Sequence, residues 1–209
     1  MKAVCLVSSG IDSPVASYMV SPYIEDMILL HADTGNFSSS NKGTTFLSLA
    51  RRLKEIVSCP IHVGIVPHGN TLQAFMDLEN PKFTCVFCKR MMVRYADCIA
   101  RQKNADVIVM GDSLGQVASQ TLQNIRVVDV VSKMPIIRPL IGFDKQEIVQ
   151  IARKIGTYYL SIVDVGECLA VPKKPSTQAR MERLDDMEKK IDVEGLLAYA
   201  VSHTVWNEI

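Results

Sequence analysis

A run of small and hydroxyl-bearing residues follows the first apolar segment and is suited to binding phosphate. It opens a helical pattern directly after a predicted strand and reads Ser8-Ser9-Gly10-Ile11-Asp12-Ser13. Small side chains let backbone N–H groups approach an anion, and the start of a helix adds a favourable dipole. Ser8 and Ser13 can donate hydroxyl hydrogen bonds, and Asp12 is placed to hold a Mg²⁺ that bridges phosphate oxygens. An ordinary turn with an N-cap is the alternative, because serine and aspartate are favoured there.

A second polar motif follows the fourth apolar segment. It reads Gly111-Asp112-Ser113-Leu114-Gly115-Gln116-Val117-Ala118-Ser119-Gln120-Thr121. Ligands of open α/β sheets bind at the carboxyl ends of the strands, which is where this motif lies. We therefore predict that Gly111, Asp112 and Gln116 contact a nucleotide, with Asp112 holding either the nucleotide or Mg²⁺. A helix N-cap is the alternative role for Asp112.

The third chemical feature is a set of cysteines. Cys85 and Cys88 form a C-x-x-C at the start of a predicted helix, followed at once by Lys89, and both features favour thiolates. Cys168 lies in a loop. Three thiolates without an obvious fourth partner suit an iron–sulfur cluster with one open iron, since structural zinc usually takes four ligands.

Other interpretations of the C-x-x-C remain open. They are a redox pair, two unremarkable thiols, or zinc with one histidine from His31, His62 and His68. The remaining cysteines, at positions 5, 59 and 98, fall within or beside apolar patterns and are interpreted as core thiols.

The elements that must position these residues alternate along the chain. Apolar runs at 2–8, 26–31, 61–66 and 106–110 predict buried strands, and helical patterns cover about 13–20, 42–57, 86–103, 113–122 and the segment after Asp144. Near-continuous apolar strands indicate a parallel α/β sheet covered on both faces. We divide the chain into a domain over 1–165 and an appendage over 166–209. In the appendage a loop at 166–177 precedes helices that pack on one sheet edge.

Composition excludes several classes of protein. The chain has 209 residues, a net charge of +1, 48% apolar residues and 22% charged residues. This composition argues against long disorder and against a strongly basic nucleic-acid tail. No apolar run reaches the ~18–20 residues of a membrane span, and the first residues fit a strand better than a signal peptide. We expect a cytoplasmic protein without a disulfide framework.

The first motif resembles the signature of PP-loop ATP pyrophosphatases, Ser-Gly-Gly-x-Asp-Ser, with Ser9 in place of the first glycine. The second motif, with Arg138-Pro139-Leu140-Ile141 and Phe143-Asp144-Lys145, resembles the catalytic domain of the tRNA 4-thiouridine synthases, the ThiI family. The resemblance continues through Ile155-Gly156-Thr157 and past Cys168 to about residue 180.

The resemblance implies a Rossmann-like three-layer sandwich of the adenine nucleotide alpha hydrolase type with a small helical tail. It implies ATP and Mg²⁺ as cofactors and a uridine of tRNA that is adenylated before sulfur is inserted. Catalytic roles fall to Asp12, Lys145 and Cys168, while His31 and Ala32 meet the adenine. Relatives with a C-x-x-C use an iron–sulfur cluster, here on Cys85, Cys88 and Cys168. In relatives with a rhodanese domain, the cysteine matching Cys168 forms a disulfide with the persulfide cysteine.

Family members usually carry THUMP and rhodanese domains, and we expect this chain to lack both. The tRNA would then be held by a separate RNA-binding subunit or by a homodimer, and the sulfur donor is left open. A basic set also predicts contact with the RNA backbone: Lys82, Lys89, Arg90, Arg94, Arg101, Lys103, Lys173, Lys174 and Arg180. Two alternatives are a PP-loop enzyme acting on a small molecule and a non-catalytic subunit that binds a nucleotide or a metal.

Overall fold

The computed structural model describes residues 1–38, 42–78, 80–163 and 168–209. A six-stranded sheet forms its centre, in the order β5-β4-β1-β2-β3-β6. The strands are β1 (Lys2–Leu6), β2 (Asp26–Asp33), β3 (Ile61–Pro67), β4 (Val107–Val109), β5 (Ile136–Ile137) and β6 (Val205–Asn207). The first five pair in parallel, whereas β6 pairs antiparallel with β3. The predicted parallel α/β sheet is confirmed, and β5 and β6 are additions to it.

Helices cover both faces of this sheet. They are α1 (Asp12–Val20), α2 (Lys42–Ile56), α3 (Gly69–Met76), α4 (Thr84–Lys103), α5 (Leu122–Asp129), α6 (Lys145–Lys154), α7 (Tyr158–Ser161), α8 (Met181–Glu188) and α9 (Val193–Ser202). Helices α1, α2 and α6 pack on one face, and α4, α5, α8 and α9 pack on the other. None of the described helices is long and apolar enough to cross a membrane.

One predicted helix is wrong. Residues 113–122 form a loop with a short 3₁₀ turn at Ala118–Gln120, and the helix begins only at Leu122. Gly115 has a φ of +75°, which interrupts a right-handed helix, and Thr121 caps the helix that follows by accepting from the Asn124 amide. The predicted boundary at residues 165 and 166 lies outside the described residues, as does the start of the predicted loop at 166–177.

A buried ion-pair network joins the C-terminal part of the chain to α4. Glu188 on α8 accepts from Arg90 at 2.8 and 2.9 Å and from Arg94 at 3.0 and 2.6 Å. Arg90 is only 2% exposed. Burial alone would raise the pKa of Glu188, but the hydrogen bonds and charges of Arg94 and Arg90 outweigh it and lower that pKa. Glu188 is therefore ionised and holds α8 against α4.

Glu188→Gln is expected to destabilise the fold by about 3 kcal/mol at pH 7, because Arg94 loses its carboxylate partner and the buried Arg90 keeps only the partly exposed Asp185. The folded pKa of Glu188 is lowered, so its contribution is complete above its ordinary pKa of 4.5 and is lost as pH falls below that value. Urea unfolding is measured for the variant and wild type at pH 7, 5, 4 and 3. The difference between their free energies of unfolding should shrink only at the lowest pH values. Asp186→Asn, which removes an exposed pair with Lys189, is the control. A difference below 1 kcal/mol at neutral pH, or one independent of pH, would contradict this account.

Candidate active site

A cleft of about 360 Å³ opens at the carboxyl ends of β1, β2 and β4. The predicted site residues that line it are Ser8, Gly10, Ile11, Asp12, Ser13, His31, Ala32, Gly111 and Asp112. Ser9 is buried but does not line the cleft. Gln116 also lies off the lining, because its amide donates to Ser113 Oγ at 3.0 Å. The two polar motifs therefore meet in one cleft.

The loop between β1 and α1 is held in shape by its own hydroxyl groups. The Ser8 amide donates to Ser13 Oγ at 2.9 Å, and the two hydroxyl oxygens are 3.1 Å apart. The Gly10 amide donates to Ser8 Oγ at 3.2 Å. Ser13 lies in the first turn of α1, where backbone N–H groups have no partner within the helix. The loop is therefore a preformed cradle at a helix N-terminus, which suits an anion.

Gly111 brings the end of β4 into direct backbone contact with this loop. A Cβ added at Gly111 would lie 2.7 Å from Ser13 Cα and 2.8 Å from Ser13 N. These distances are shorter than real Cβ contacts, so any side chain would push the two segments apart. A glycine is therefore required at position 111 for this close packing.

Asp12 and Lys145 meet at the edge of the cleft. Lys145 Nζ lies 2.5 Å from Asp12 Oδ1, although 133 residues separate the two in sequence. Asp144 and Glu147 form a capping box that starts α6 and places Lys145 in its first turn. The side chains stay 24% and 50% exposed for Asp12 and Lys145, respectively, so both can reach a ligand.

Asp112 lies in the cleft but is committed to two cations. Its Oδ1 accepts from Lys89 at 2.6 Å, and its Oδ2 accepts from Arg138 at 3.0 Å. Burial alone would raise the pKa of Asp112, but Lys89 and Arg138 together lower it. The prediction that Asp112 holds Mg²⁺ does not fit this geometry, because both carboxylate oxygens are occupied. Asp112 instead orients Lys89, while Arg138 also pairs with Asp129 at 2.5 Å.

His31 forms part of the cleft wall in a neutral state. Its ring stacks on Phe46 with centroids 4.6 Å apart, and Nδ1–H donates to the Val7 carbonyl at 2.9 Å. Burial lowers the pKa of His31. Gln120 lies opposite in the second motif and is 7% exposed. Its Oε1 is buried and has no hydrogen-bond partner in the described part of the chain, which leaves an acceptor for a ligand at the cleft.

The thiols of the C-x-x-C are less acidic than the sequence predicts. Burial, followed by the neighbouring Cys85 and Cys168, raises the pKa of Cys88 to about 12, and Lys89 only partly opposes this. Burial and Cys168 also raise the pKa of Cys85. The prediction of thiolates at both positions is therefore wrong for the free protein. Cys168 raises the pKa of both Cys85 and Cys88, so the three thiols lie close enough for their charges to interact.

The described residues do not fit the predicted iron–sulfur cluster. Within 1–38, 42–78, 80–163 and 168–209, no three His, Cys, Asp or Glu side chains are arranged to hold a metal ion. Cys88 instead has a buried histidine as its neighbour, with His68 Nε2 3.2 Å from the sulfur. Burial lowers the pKa of His68 to about 4, and its Nδ1 lies 3.1 Å from the Tyr95 hydroxyl. All six cysteines carry free thiols.

Lys89 connects the cleft to the thiols, and sequence analysis missed this position. It lines the cleft beside Asp112, and its charge acts on both Cys85 and Cys88. Cys168 is held nearby, because the Leu169 amide donates to the Phe37 carbonyl just after β2. The signal in the sequence is the adjacency of Lys89 to the C-x-x-C, which predicts thiol acidity and RNA contact but not a place in the cleft.

Several basic residues predicted to contact RNA have partners within the protein. Arg90 and Arg94 pair with Glu188, and Arg101 pairs with Asp97 at 2.6 Å. Lys103 lies over the ring of Trp206, 4.8 Å from its centroid. Arg90 and Arg94 therefore hold α8 against α4, whereas Arg101 and Lys103 remain exposed at the end of α4.

Comparison with known proteins matches this chain to one family model, described as "Thiamine biosynthesis protein (ThiI)", over residues 1–193. A probable tRNA sulfurtransferase of Methanobrevibacter smithii is 43% identical over 186 residues, covering 88% of this chain and 49% of the relative. Its counterpart from Thermus thermophilus is 39% identical over 203 residues, covering 96% of this chain and 50% of the relative. The chain thus spans about half the length of the curated relatives it matches.

Solved structures show the same relationship. A crystal structure of a 4-thiouridine synthetase–RNA complex with bound ATP superposes with a TM-score of 0.94 at 32% identity, covering 99% of this chain and 54% of that one. An NMN synthetase from Francisella tularensis has a TM-score of 0.55 at 13% identity, covering 96% of this chain and 83% of that one, and shows the shared fold alone.

Proposed function

Because this chain belongs to the ThiI family, we propose that it thiolates tRNA, using ATP to convert a uridine to 4-thiouridine. The 4-thiouridine synthetase of similar structure was crystallised with RNA and ATP, which supports both as substrates here. The observation that carries the proposal is the position of Lys89, which lines the cleft and acts on the thiols of Cys85 and Cys88. Sulfur insertion requires that the site where ATP activates the uridine lies next to the thiols that deliver sulfur. Lys89 lies between the cleft and these thiols. A tRNA substrate and free thiols both favour a cytoplasmic location.

In this proposal the triphosphate of ATP rests on the 8–13 loop, where Ser8, Gly10 and Ser13 form the cradle. The adenine lies toward His31 and Ala32, with Gln120 Oε1 available to accept a hydrogen bond. Asp12 fits a magnesium ligand, because Mg²⁺ is usually held by one or two carboxylates plus substrate phosphates. When bound, the ion neutralises phosphate charge.

Adenylation begins with a uridine extruded from the tRNA, so that its C4 oxygen reaches the α-phosphorus. A bond forms between that oxygen and phosphorus, the bond to pyrophosphate breaks, and the N3 proton passes to solvent. Lys145 lies beside Asp12 at the cleft edge and stabilises the negative charge that develops on the α-phosphate. The former carbonyl oxygen is now part of a good leaving group, AMP.

Sulfur transfer uses the shared thiol site. A donor persulfide gives its outer sulfur to the Cys168 thiolate, forming a Cys168 persulfide and releasing the donor thiolate. The outer sulfur attacks C4, and AMP leaves with the original oxygen. The Cys85 thiol then attacks the Cys168 sulfur, forming a disulfide and releasing 4-thiouridine, to which the thiol proton passes. Lys89 assists by partly opposing the burial that raises the pKa of Cys85. An external dithiol reduces the disulfide for the next turnover.

Lys145→Met tests the role of Lys145 in adenylation, within an assay that follows the whole reaction. Purified protein, unmodified tRNA, ATP, Mg²⁺ and a small persulfide are incubated anaerobically, and nucleosides and pyrophosphate are quantified. Loss of one preorganised charge should lower tRNA-dependent pyrophosphate release by about 10²–10³-fold, without preventing ATP binding. Lys154→Met, at the far end of the same helix, should behave as wild type. Full activity of Lys145→Met would remove it from the reaction, and a wild-type chain that forms no 4-thiouridine would contradict the proposed function.

A further inference from the structure

A second groove, of about 720 Å³, lies between the start of α4 and the outer side of α8. Four basic side chains line it: Lys82, Arg180, Arg183 and Lys190. Two carboxylates are also present, Glu182 and Asp186, and Asp186 already pairs with Lys189 at 2.9 Å. The groove therefore has a positive balance in a chain whose net charge is only +1. Such local charge suits a polyanion.

Two of these cations are fixed against a buried aromatic ring. Lys82 Nζ lies 5.0 Å from the centroid of Phe83, and the guanidinium carbon of Arg183 lies 5.3 Å from the same centroid. Phe83 is 2% exposed, so the ring is a rigid support for both charges. Ser176 and Gln178 add neutral hydrogen-bonding groups to the lining. The groove thus presents ordered cations together with polar groups.

A strip of hydrogen-bonded residues links the groove to the cleft. Gln120 lines the cleft, and the next residue, Thr121, donates from its hydroxyl to the Thr177 carbonyl at 2.7 Å. The Ser176 amide donates to the Lys82 carbonyl at 2.9 Å, which fixes the same strip to the other wall of the groove. The hydrogen bonds of this strip therefore link the Gln120 side of the cleft to the wall of the groove.

We propose that this groove binds the sugar–phosphate backbone of the tRNA next to the nucleotide that enters the cleft. The inference rests on the proposed function, since a macromolecular substrate must leave the cleft along some surface. Arg90 and Arg94 of α4 are taken up by ion pairs with α8, whereas the groove keeps exposed arginines at Arg180 and Arg183. An acidic protein could also bind these charges, but nothing would require its binding site to lie next to the cleft.

The test compares Arg180→Gln/Arg183→Gln with a matched control, Arg51→Gln/Lys154→Gln, which removes two exposed charges from α2 and α6 on the opposite face. Binding of unmodified tRNA is measured by fluorescence anisotropy at salt concentrations between about 50 and 300 mM, because contacts with phosphate weaken as salt rises. The groove variant should lower the slope of log Kd against log salt by about 1.5 and weaken binding at low salt by about 10-fold or more. The control should match wild type, and thermal melts check folding.

Because binding is measured without ATP, the groove and the reaction are judged separately. Equal slopes and affinities for the groove variant and wild type would overturn the inference, even if 4-thiouridine is formed. Absence of salt-dependent tRNA binding by the wild-type chain would overturn it as well. Loss of sulfur transfer from a protein donor with tRNA binding intact would assign the groove to that donor instead. Weaker tRNA binding by the groove variant alone would support the inference. If, in addition, neither wild type nor any variant makes 4-thiouridine, that result would contradict only the proposed function.

Discussion

Replacing Cys168 with serine is expected to abolish thiolation while leaving ATP cleavage intact. The serine hydroxyl cannot accept sulfur from a persulfide, whereas ATP cleavage in the proposed reaction depends on the 8–13 loop and Lys145. In a single turnover with a small persulfide and no added dithiol, wild type should form up to one 4-thiouridine and one Cys85–Cys168 disulfide per chain. Cys168→Ser should lower the thiolation rate by about 10³-fold or more, as expected for loss of a covalent nucleophile. Release of AMP and pyrophosphate should continue near the wild-type rate.

Cys59→Ser is the matched control, because Cys59 is a free thiol packed against the opposite face of the sheet. It should thiolate as wild type does. Cys85→Ser provides a further arm, in which the mixed disulfide between Cys168 and the tRNA should accumulate and be detectable by mass spectrometry. Two results would contradict the division of labour: loss of adenylation in Cys168→Ser, or full thiolation by that variant from the persulfide.

Gly111→Ala is expected to disable the ATP-dependent half-reaction. Its Cβ would lie 2.7 Å from Ser13 Cα, and backbone cannot move aside as a flexible side chain can. The 8–13 loop would shift away from β4, and misplacement by about 1 Å can cost about 10²-fold in rate. Pyrophosphate release should fall by at least that factor, with a loss of stability of about 1–3 kcal/mol from overpacking.

Gly142→Ala controls for the change from glycine to alanine, because a Cβ at Gly142 meets nothing within 4 Å. It should keep wild-type activity and stability. Urea unfolding separates the two effects of Gly111→Ala, since a folded but inactive variant is the expected result. An active Gly111→Ala variant would show that close contact between the loop and β4 is not needed for nucleotide chemistry.

The central strands could be predicted because buried parallel strands are near-continuous apolar runs. The predicted strand at 61–66 appears as β3, Ile61–Pro67, and 26–31 as the longer β2, Asp26–Asp33. Strand β5 has two residues, and β6 has three that are partly exposed, so neither shows a periodic pattern. The helix predicted at 113–122 is wrong although the sequence holds two signals against it. Gly115 favours a loop, and Thr121 favours the start of a helix at the next residue.

The turn at residues 8–13 between a strand and a helix could be predicted because its residues are contiguous, whereas the distant partners of side chains could not. Lys145 and Asp12 are 133 positions apart, and Arg90 and Glu188 are 98 apart. No pattern within a single segment reveals such pairs. Thiol acidity failed for a different reason: the position of Lys89 beside the C-x-x-C is visible in sequence, but the burial that dominates the pKa of Cys88 is not.

The most direct test of the central claim follows one oxygen atom. A tRNA carrying ¹⁸O at C4 of the target uridine is incubated with the protein, unlabelled ATP, Mg²⁺ and a small persulfide, and AMP is analysed by mass spectrometry. If the uridine oxygen attacks the α-phosphorus and sulfur then displaces AMP, each 4-thiouridine formed should yield one AMP that contains ¹⁸O. Thiolation with ¹⁸O only in water or pyrophosphate would contradict uridine adenylation. ATP cleavage to AMP without label or thiouridine would show that this chain activates another substrate.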